Sequence, residues 1–417
     1  MVNNILKKEA LVYGVGHILT RMITFLLLPL FTNTLTTHEY GVLSLVYAFC
    51  GFFTVILHLG LDASLLKHYK SSNKQEKILF TTNTYIPLLI LNIIFVFLFI
   101  FLKDILASPI LGTDNSFIFI LMLLIVALDG LWAIPMVLLR ADNAPFQYLT
   151  YTLSNVVANI IFIYFFFFIF QWGVLGIIIS NTLSSFLIFL ISLPIIIKKI
   201  SFSTLQIRVL KKLLKFGSPF IVAGIFSMII ELSDRYIIKY LLGLEMVGIY
   251  NAGYKLGMLM LLVIMGFNMA WQPYFLDSQN NNKKILESAG NHAWIIFFII
   301  CGTIICLIDP ISKISFFGYT LIGENFSESL TIVPIICLSY LFHGAYIIQL
   351  SGPCLTNKTS YIATIRGVAA ISNIVLNFIL IPHYSIMGAA IATLISFILA
   401  STLILYINKK IFPLNYN

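Results

Sequence analysis

Four cations, Arg21, Arg235, Lys255 and Arg366, lie inside long apolar stretches of this chain. A cation at the centre of a bilayer costs about 2.5 to 3.5 kcal/mol on insertion scales, so charges kept there face protein, water or a ligand. In HILTRMITFLLLPLF (17–31), Arg21 shares one helical face with Tyr13, His17, Thr20 and Thr24, while Val12, Ile23, Leu26 and Leu30 lie opposite. That stripe predicts that Arg21 and His17 look into a cavity. Glu231 and Arg235, in IFSMIIELSDRYIIKYL (225–241), are one helical turn apart. Two readings are open: an ion pair that only fixes packing, or an Arg235 available to a ligand. Lys255 shares a face with Asn251 and has no acidic residue one turn away, which makes it the better lone cation. Arg366 is near enough to a span end to reach the interface.

Few acids oppose these cations. Asp129 is the clearest, and it could pair with Arg21 or bind and release a coupling proton or sodium ion; Glu231 and Asp234 are the other candidate charge partners. His17, His58 and His343 are titratable, but no pair has metal-ligand spacing, so no metal site is expected. A surplus of buried cations suits an anionic cargo, and phosphate groups match Arg and Lys well.

The elements that must hold these residues are membrane helices. Of 417 residues, 60% are hydrophobic and 10% charged, against about 25% charged in soluble domains. A 20-residue hydropathy window gives about twelve spans: 11–31, 41–61, 79–102, 116–139, 147–170, 173–197, 217–241, 249–275, 291–311, 329–352, 362–382 and 386–408. Most of the 25 Lys and Arg fall in connections on one side, and only Lys103, Lys239 and Lys313 on the other. Short-loop cations set orientation, so both termini are expected on the cytoplasmic side of a multi-pass protein. The first span reads as a retained helix, because Arg21 interrupts it and no small-residue cleavage site follows. All five cysteines lie in spans or at a cytoplasmic edge, which leaves no extracytoplasmic disulfide pair.

The basic stretch 198–216 divides the chain into a six-helix lobe, 1–197, and a second, 217–417, and it has the composition of an amphipathic helix on an anionic leaflet. An internal repeat supports the division. Ser154, Asn155, Val157 and Asn159 recur 218 residues later as Ser372, Asn373, Val375 and Asn377, and WGVLG (172–176) and YSIMG (384–388) follow the two copies. Two such lobes enclose a central cleft whose access can alternate. No connection exceeds about 20 residues, and the chain carries no Walker-type loop, HExxH or GxSxG motif. An enzyme is therefore not expected, nor a cofactor; secondary transport, for which a proton or sodium gradient is the candidate coupling, or equilibration is left. The distribution of charge gives no footprint for nucleic acid.

The segments YGVGHILTRMITFLLLPLFTNTLTTHEYGVLSL, LGLDASLLKHY, LLKFGSPF, SDRYIIKYLLGLEMVGIYNAGYKLG, AWQPYF and SNIVLNFILIPHYSIMGAAIAT, taken in order, resemble the bacterial O-antigen and polysaccharide flippases of the multidrug/oligosaccharidyl-lipid/polysaccharide exporter superfamily. The resemblance covers nearly the whole chain. It implies a MATE-like bundle in the bacterial inner membrane that moves undecaprenyl-diphosphate-linked oligosaccharide (O-antigen or a related polysaccharide) from the cytoplasmic to the outer leaflet. It also implies a cationic cavity, and by position Arg21, the Asp234–Arg235 pair and Lys255 match charged places common in the family; His17 joins this candidate binding set through its shared face with Arg21. Membrane lipids, a polysaccharide polymerase and other assembly proteins are the implied partners. A multidrug exporter of the same superfamily and a membrane O-antigen polymerase are the alternatives. The first is opposed by the buried cations, the second by the small outer loop at 312–328. The branch that exports the peptidoglycan precursor typically has two more helices.

Overall fold

The computed structural model describes residues 25–414 apart from 71, 277–282, 317, 357 and 359. Ten helices among the described residues are long and apolar enough to cross a membrane, which bears out the all-α membrane class. They are α2 (Thr37–His58), α4 (Lys74–Phe101), α6 (Ser116–Ala141), α7 (Pro145–Ile163, continued as a π-helix over Tyr164–Ile169), α8 (Gly173–Ile197), α9 (Ile207–Leu242), α11 (Leu259–Leu276), α12 (Lys283–Ser312), α13 (Val333–Gln349, inside an apolar run Glu324–Leu355) and α15 (Ser360–Ile411). In α15 Ser385 adopts φ 53° and ψ −139°, which breaks the helix into two spans. The first expected span is described only from α1 (Phe25–Thr34) onward.

Shorter pieces fill the gaps: α3 (Leu61–Lys70), α5 (Lys103–Leu111), α10 (Leu244–Gly257), α14 (Ser351–Leu355) and a two-stranded hairpin, β1 (Ser315–Phe316) with β2 (Tyr319–Thr320). Local chemistry keeps the connections short. Asn73 and Glu76 form a reciprocal capping box at the start of α4, and Thr36 and Glu39 exchange the same bonds before α2. Asn115 caps α6, and Pro145 opens α7.

By packing, the described residues fall into two compact units, 45–225 and 25–44 with 226–414. In the first, the basic stretch is not a separate amphipathic helix. A 3-10 turn at Phe202–Thr204 leads into α9, which begins at Ile207. Asn83 fastens that turn, donating to the Thr204 carbonyl at 2.9 Å and accepting from the Gln206 amide at 2.7 Å. Gly60 and Gly217 meet backbone to backbone, so that a Cβ on Gly60 would lie 2.2 Å from the Gly217 carbonyl oxygen. Lys199 of the basic stretch and Lys77 of α4 share one carboxylate: Asp142 pairs with Lys199 and, at 3.6 Å, with Lys77. Burial works against the Lys199 charge, but hydrogen bonds to Asp142 and the Tyr69 hydroxyl hold its ammonium above the ordinary lysine value.

In the second unit α2 and α10 cross with almost no side chain between them. A Cβ on Gly41 would come 2.1 Å from the Leu244 oxygen, and one on Gly248 2.0 Å from the Thr37 oxygen. This crossing brings Tyr40 against the polar face of α10. The hairpin is tied to α1 by Asn33, which donates to the Thr320 carbonyl at 2.7 Å.

The internal repeat has a structural counterpart in each unit. Asn373 and Asn377 are fully buried, and Asn377 Nδ2 donates to the Asn373 side chain at 3.0 Å. Asn373 Nδ2 and Asn377 Oδ1 have no partner, and the equivalent atoms of the first copy, Asn155 Nδ2 and Asn159 Oδ1, are unpartnered as well. The first copy is six residues longer before its aromatic-glycine turn, the length of the Tyr164–Ile169 π-helix. In both copies the closing glycine takes a close backbone approach: Gly176 against the Phe166 carbonyl and Gly388 against the Leu380 carbonyl.

Candidate functional site

Arg21 and His17 lie outside the described residues, and so does any pairing of Arg21 with Asp129. The remaining candidates fall in two places, one in each unit.

In the unit of residues 45–225, α6 carries Asp129. Its Oδ1 accepts from Trp132 Nε1 at 2.9 Å, on the same helix, and from Ser185 Oγ at 2.6 Å, on α8. Both donors are neutral. His58, from the end of α2, puts Nε2 3.3 Å from the Gly130 carbonyl, one residue along. Among the described residues no cation lies within 4 Å of this carboxylate, and a carboxylate held by hydroxyl and indole donors can exchange a proton or a small cation.

In the other unit the charges form a cluster where α9, α10 and α13 meet. Asp234 is fully buried and Arg235 is 5% exposed. Arg235 Nη1 donates to Asp234 Oδ1 at 2.8 Å and also to the Glu231 main-chain carbonyl; its Nε donates to Asn251 Oδ1 at 3.2 Å. The ion-pair partner of the guanidinium is thus the adjacent Asp234, whereas helical spacing pointed to Glu231. The geometry explains the choice. Asp234 Oδ1 also takes the amide of Arg235, which turns the carboxylate back over its own helix, and the Tyr250 hydroxyl holds Oδ2.

A wall of tyrosines surrounds the pair. The guanidinium carbon lies 4.4 Å from the Tyr254 ring centroid and 5.9 Å from that of Tyr250. The Tyr254 and Tyr340 hydroxyls are 2.9 Å apart. Lys255, on the same turn, is partly exposed and stands 5.4 Å from the Tyr40 ring centroid. Among the described residues no carboxylate lies within 4 Å of its ammonium. Arg366 is placed apart, with its guanidinium 4.4 Å over the Tyr346 ring.

Among the described residues Glu231, Asp234, Arg235 and Lys255 carry formal charges that cancel; of the two readings open for Arg235, the structure shows an ion pair, made with Asp234, and the Lys255 ammonium is partly exposed. The tyrosines were not singled out from sequence. Their signal was available: Tyr250 and Tyr254 are one turn apart and immediately precede Asn251 and Lys255. Chemically the group offers a cation, several hydroxyls and aromatic faces, which suits a phosphorylated or glycosylated anion.

Comparison with known proteins gives the context. The fold superposes on the lipid II flippase MurJ in an inward closed conformation with a TM-score of 0.77 at 18% identity, over 96% of this chain and 88% of that one. An inward-facing multidrug resistance transporter of the MATE family, in the MOP superfamily, gives a TM-score of 0.74 at 13% identity, over 92% of each chain. A Shigella flexneri protein classed as an O-antigen transporter is 22% identical over 207 residues, 49% of this chain and 48% of that one. The fold is therefore that of transporters and flippases. Residues 6–279 match the family described as polysaccharide biosynthesis protein, and the chain belongs to that family.

Proposed function

We propose that this protein is a flippase that moves undecaprenyl-diphosphate-linked oligosaccharide units, of O-antigen or a related polysaccharide, from the cytoplasmic to the outer leaflet of the bacterial inner membrane. Access alternates between the 1–197 and 217–417 lobes, joined by the 198–216 connector, with both termini cytoplasmic. The observation that carries this reading is Lys255, an ammonium without a close carboxylate among the described residues, set beside a tyrosine wall and the Asp234–Arg235 pair. An entering diphosphate meets Lys255, beside the Asp234–Arg235 pair, while tyrosine hydroxyls and Asn251 offer hydrogen bonds to sugar. Arg21 and His17 complete the cationic set in the first span. The family description and the name of the Shigella flexneri relative support a polysaccharide cargo.

Asp129 is assigned to coupling. Protonation or sodium binding would compete with its bonds to Ser185 and Trp132 and so bias the 1–197 lobe between two arrangements. Partners in this reading are the lipid-linked cargo and, at the outer face, a polysaccharide polymerase.

The test is reconstitution. In proteoliposomes loaded with lipid-linked oligosaccharide, the protein should raise the fraction of cargo open to an impermeant glycan-modifying reagent from about half to nearly all, once the donor leaflet is depleted. A protein that leaves this fraction unchanged while extruding a cationic dye would instead be the multidrug exporter suggested by the MATE-like fold.

A further inference from the structure

Away from the charged cluster, a cavity of about 290 Å³ opens between α12, α13 and the second half of α15. Trp294, Phe342, Ile348 and Leu405 make its apolar walls, and Gln349 is among the polar residues that line it. Thr402 and Leu405 are exposed, as are Ile295, Ile296 and Ile299 on the neighbouring turns of α12, so the cavity opens sideways into hydrocarbon. An apolar hole with a lateral mouth in a membrane protein takes an acyl chain more readily than a solute arriving from water.

Two features at its end point to the rest of the ligand. Gln349 is 4% exposed, and its side-chain Oε1 has no hydrogen-bond partner, although it lines the cavity. A buried acceptor left open is destabilising, so a ligand bringing a hydroxyl there gains by satisfying it. The second feature is a collar of lysines. Lys283 and Lys284 begin α12, and Lys409 and Lys410 end α15. Lys283 Nζ stands 4.9 Å over the Phe412 ring, which joins the two helix ends, and Lys410 Nζ stands 4.3 Å over exposed Tyr406. At 1.5 Å per residue, Gly290 lies about 10 Å along α12 from Lys283, and Leu405 about 6 Å along α15 from Lys409. The cavity is therefore one headgroup's depth beneath the collar.

We propose that this cavity is a binding site for an anionic, hydroxyl-bearing phospholipid, phosphatidylglycerol. One acyl chain fills the cavity, the phosphate sits among the four lysines, and the ligand supplies the donor that Gln349 lacks. The lipid comes from the leaflet that bears the lysines. The cavity lies within residues 290–405 and the lysine collar adds 283, 284, 409 and 410, all in the second unit, and occupancy of the site does not depend on what the protein transports.

Native mass spectrometry of the purified full chain, titrated with phosphatidylglycerol or phosphatidylethanolamine of the same acyl composition, tests the site. Wild-type protein should retain one phosphatidylglycerol at roughly tenfold lower lipid concentration than phosphatidylethanolamine, a preference expected from clustered lysines at an anionic headgroup. Ala345→Trp, which fills the cavity, should abolish that retention. A quadruple Lys→Gln variant at 283, 284, 409 and 410 leaves the cavity intact, and it should bind both lipids equally. Unchanged phosphatidylglycerol retention in the folded Ala345→Trp protein, or an undiminished preference in the quadruple variant, would overturn the proposal. Displacement of phosphatidylglycerol by equimolar undecaprenyl phosphate would also overturn it, since the cavity would then hold the carrier lipid.

Discussion

The two units each hold a carboxylate within their helices, and they hold it differently. Asp234 is locked: the guanidinium of Arg235, that residue's amide and the Tyr250 hydroxyl all serve it. Among the described residues Asp129 accepts from a serine and a tryptophan, both neutral. An ion pair sealed by hydrogen bonds resists a change of charge, whereas a carboxylate held by neutral donors changes charge at far smaller structural expense. The proposed function divides two tasks along this contrast: recognition of an anionic cargo beside the locked pair and exchange of a coupling ion at Asp129.

The contrast can be broken most forcefully at Arg235. Arg235→Ala leaves Asp234 buried without its cation and should destabilise the protein by about 3 to 5 kcal/mol. The double variant Arg235→Met with Asp234→Asn should recover most of that loss, as read from thermal unfolding in detergent. Equal melting temperatures for wild type and Arg235→Ala would show that the pair is not locked.

A smaller effect on stability, with a large one on transport, is expected at Lys255. Lys255→Ala should remain folded and inserted while cargo translocation falls roughly tenfold or more, and Lys255→Arg should keep part of the activity. Wild-type translocation by the Ala variant would remove Lys255 from the cargo site.

At Asp129 the two halves of the contrast part company. Asp129→Asn preserves shape and should shift unfolding by less than about 1.5 kcal/mol, yet it should make translocation indifferent to imposed proton and sodium gradients. Removing the donor instead, with Ser185→Ala, should cost about 1 to 3 kcal/mol. A variant that still follows either gradient with Asn at 129 would take the coupling role away.

The smallest effects belong to the repeat. Asn377 and Asn159 each leave the same side-chain oxygen unpartnered, so Asn377→Leu and Asn159→Leu should each change stability by no more than about 1 kcal/mol, and in the same direction. Opposite signs would separate the two copies.

Hydropathy located the spans well because the bilayer imposes length and composition directly. The expected 173–197 is α8 to the residue, and 116–139 is α6 within two. Pieces whose form depends on packing were not legible. α3 is short and polar, and the single expected span 249–275 is two helices, α10 ending at Gly257 and α11 starting at Leu259. The six extra residues in the first repeat copy were visible, but nothing in YFFFFI distinguishes a π-helix from an α-helix. The site shows the same limit: residue types marked Arg235, Lys255 and Asp129, while the partner of Arg235 is set by a side chain folding back on its own turn and by a tyrosine from the next helix.

One measurement bears most directly on cargo recognition by cations: translocation of undecaprenyl-diphosphate-linked oligosaccharide in proteoliposomes by wild type, Arg21→Ala and Lys255→Ala, each checked for insertion. The expected result is efficient exposure of the glycan on the far leaflet by wild type and loss of it in both variants. Equal exposure by all three proteins, or none by wild type, would contradict the account.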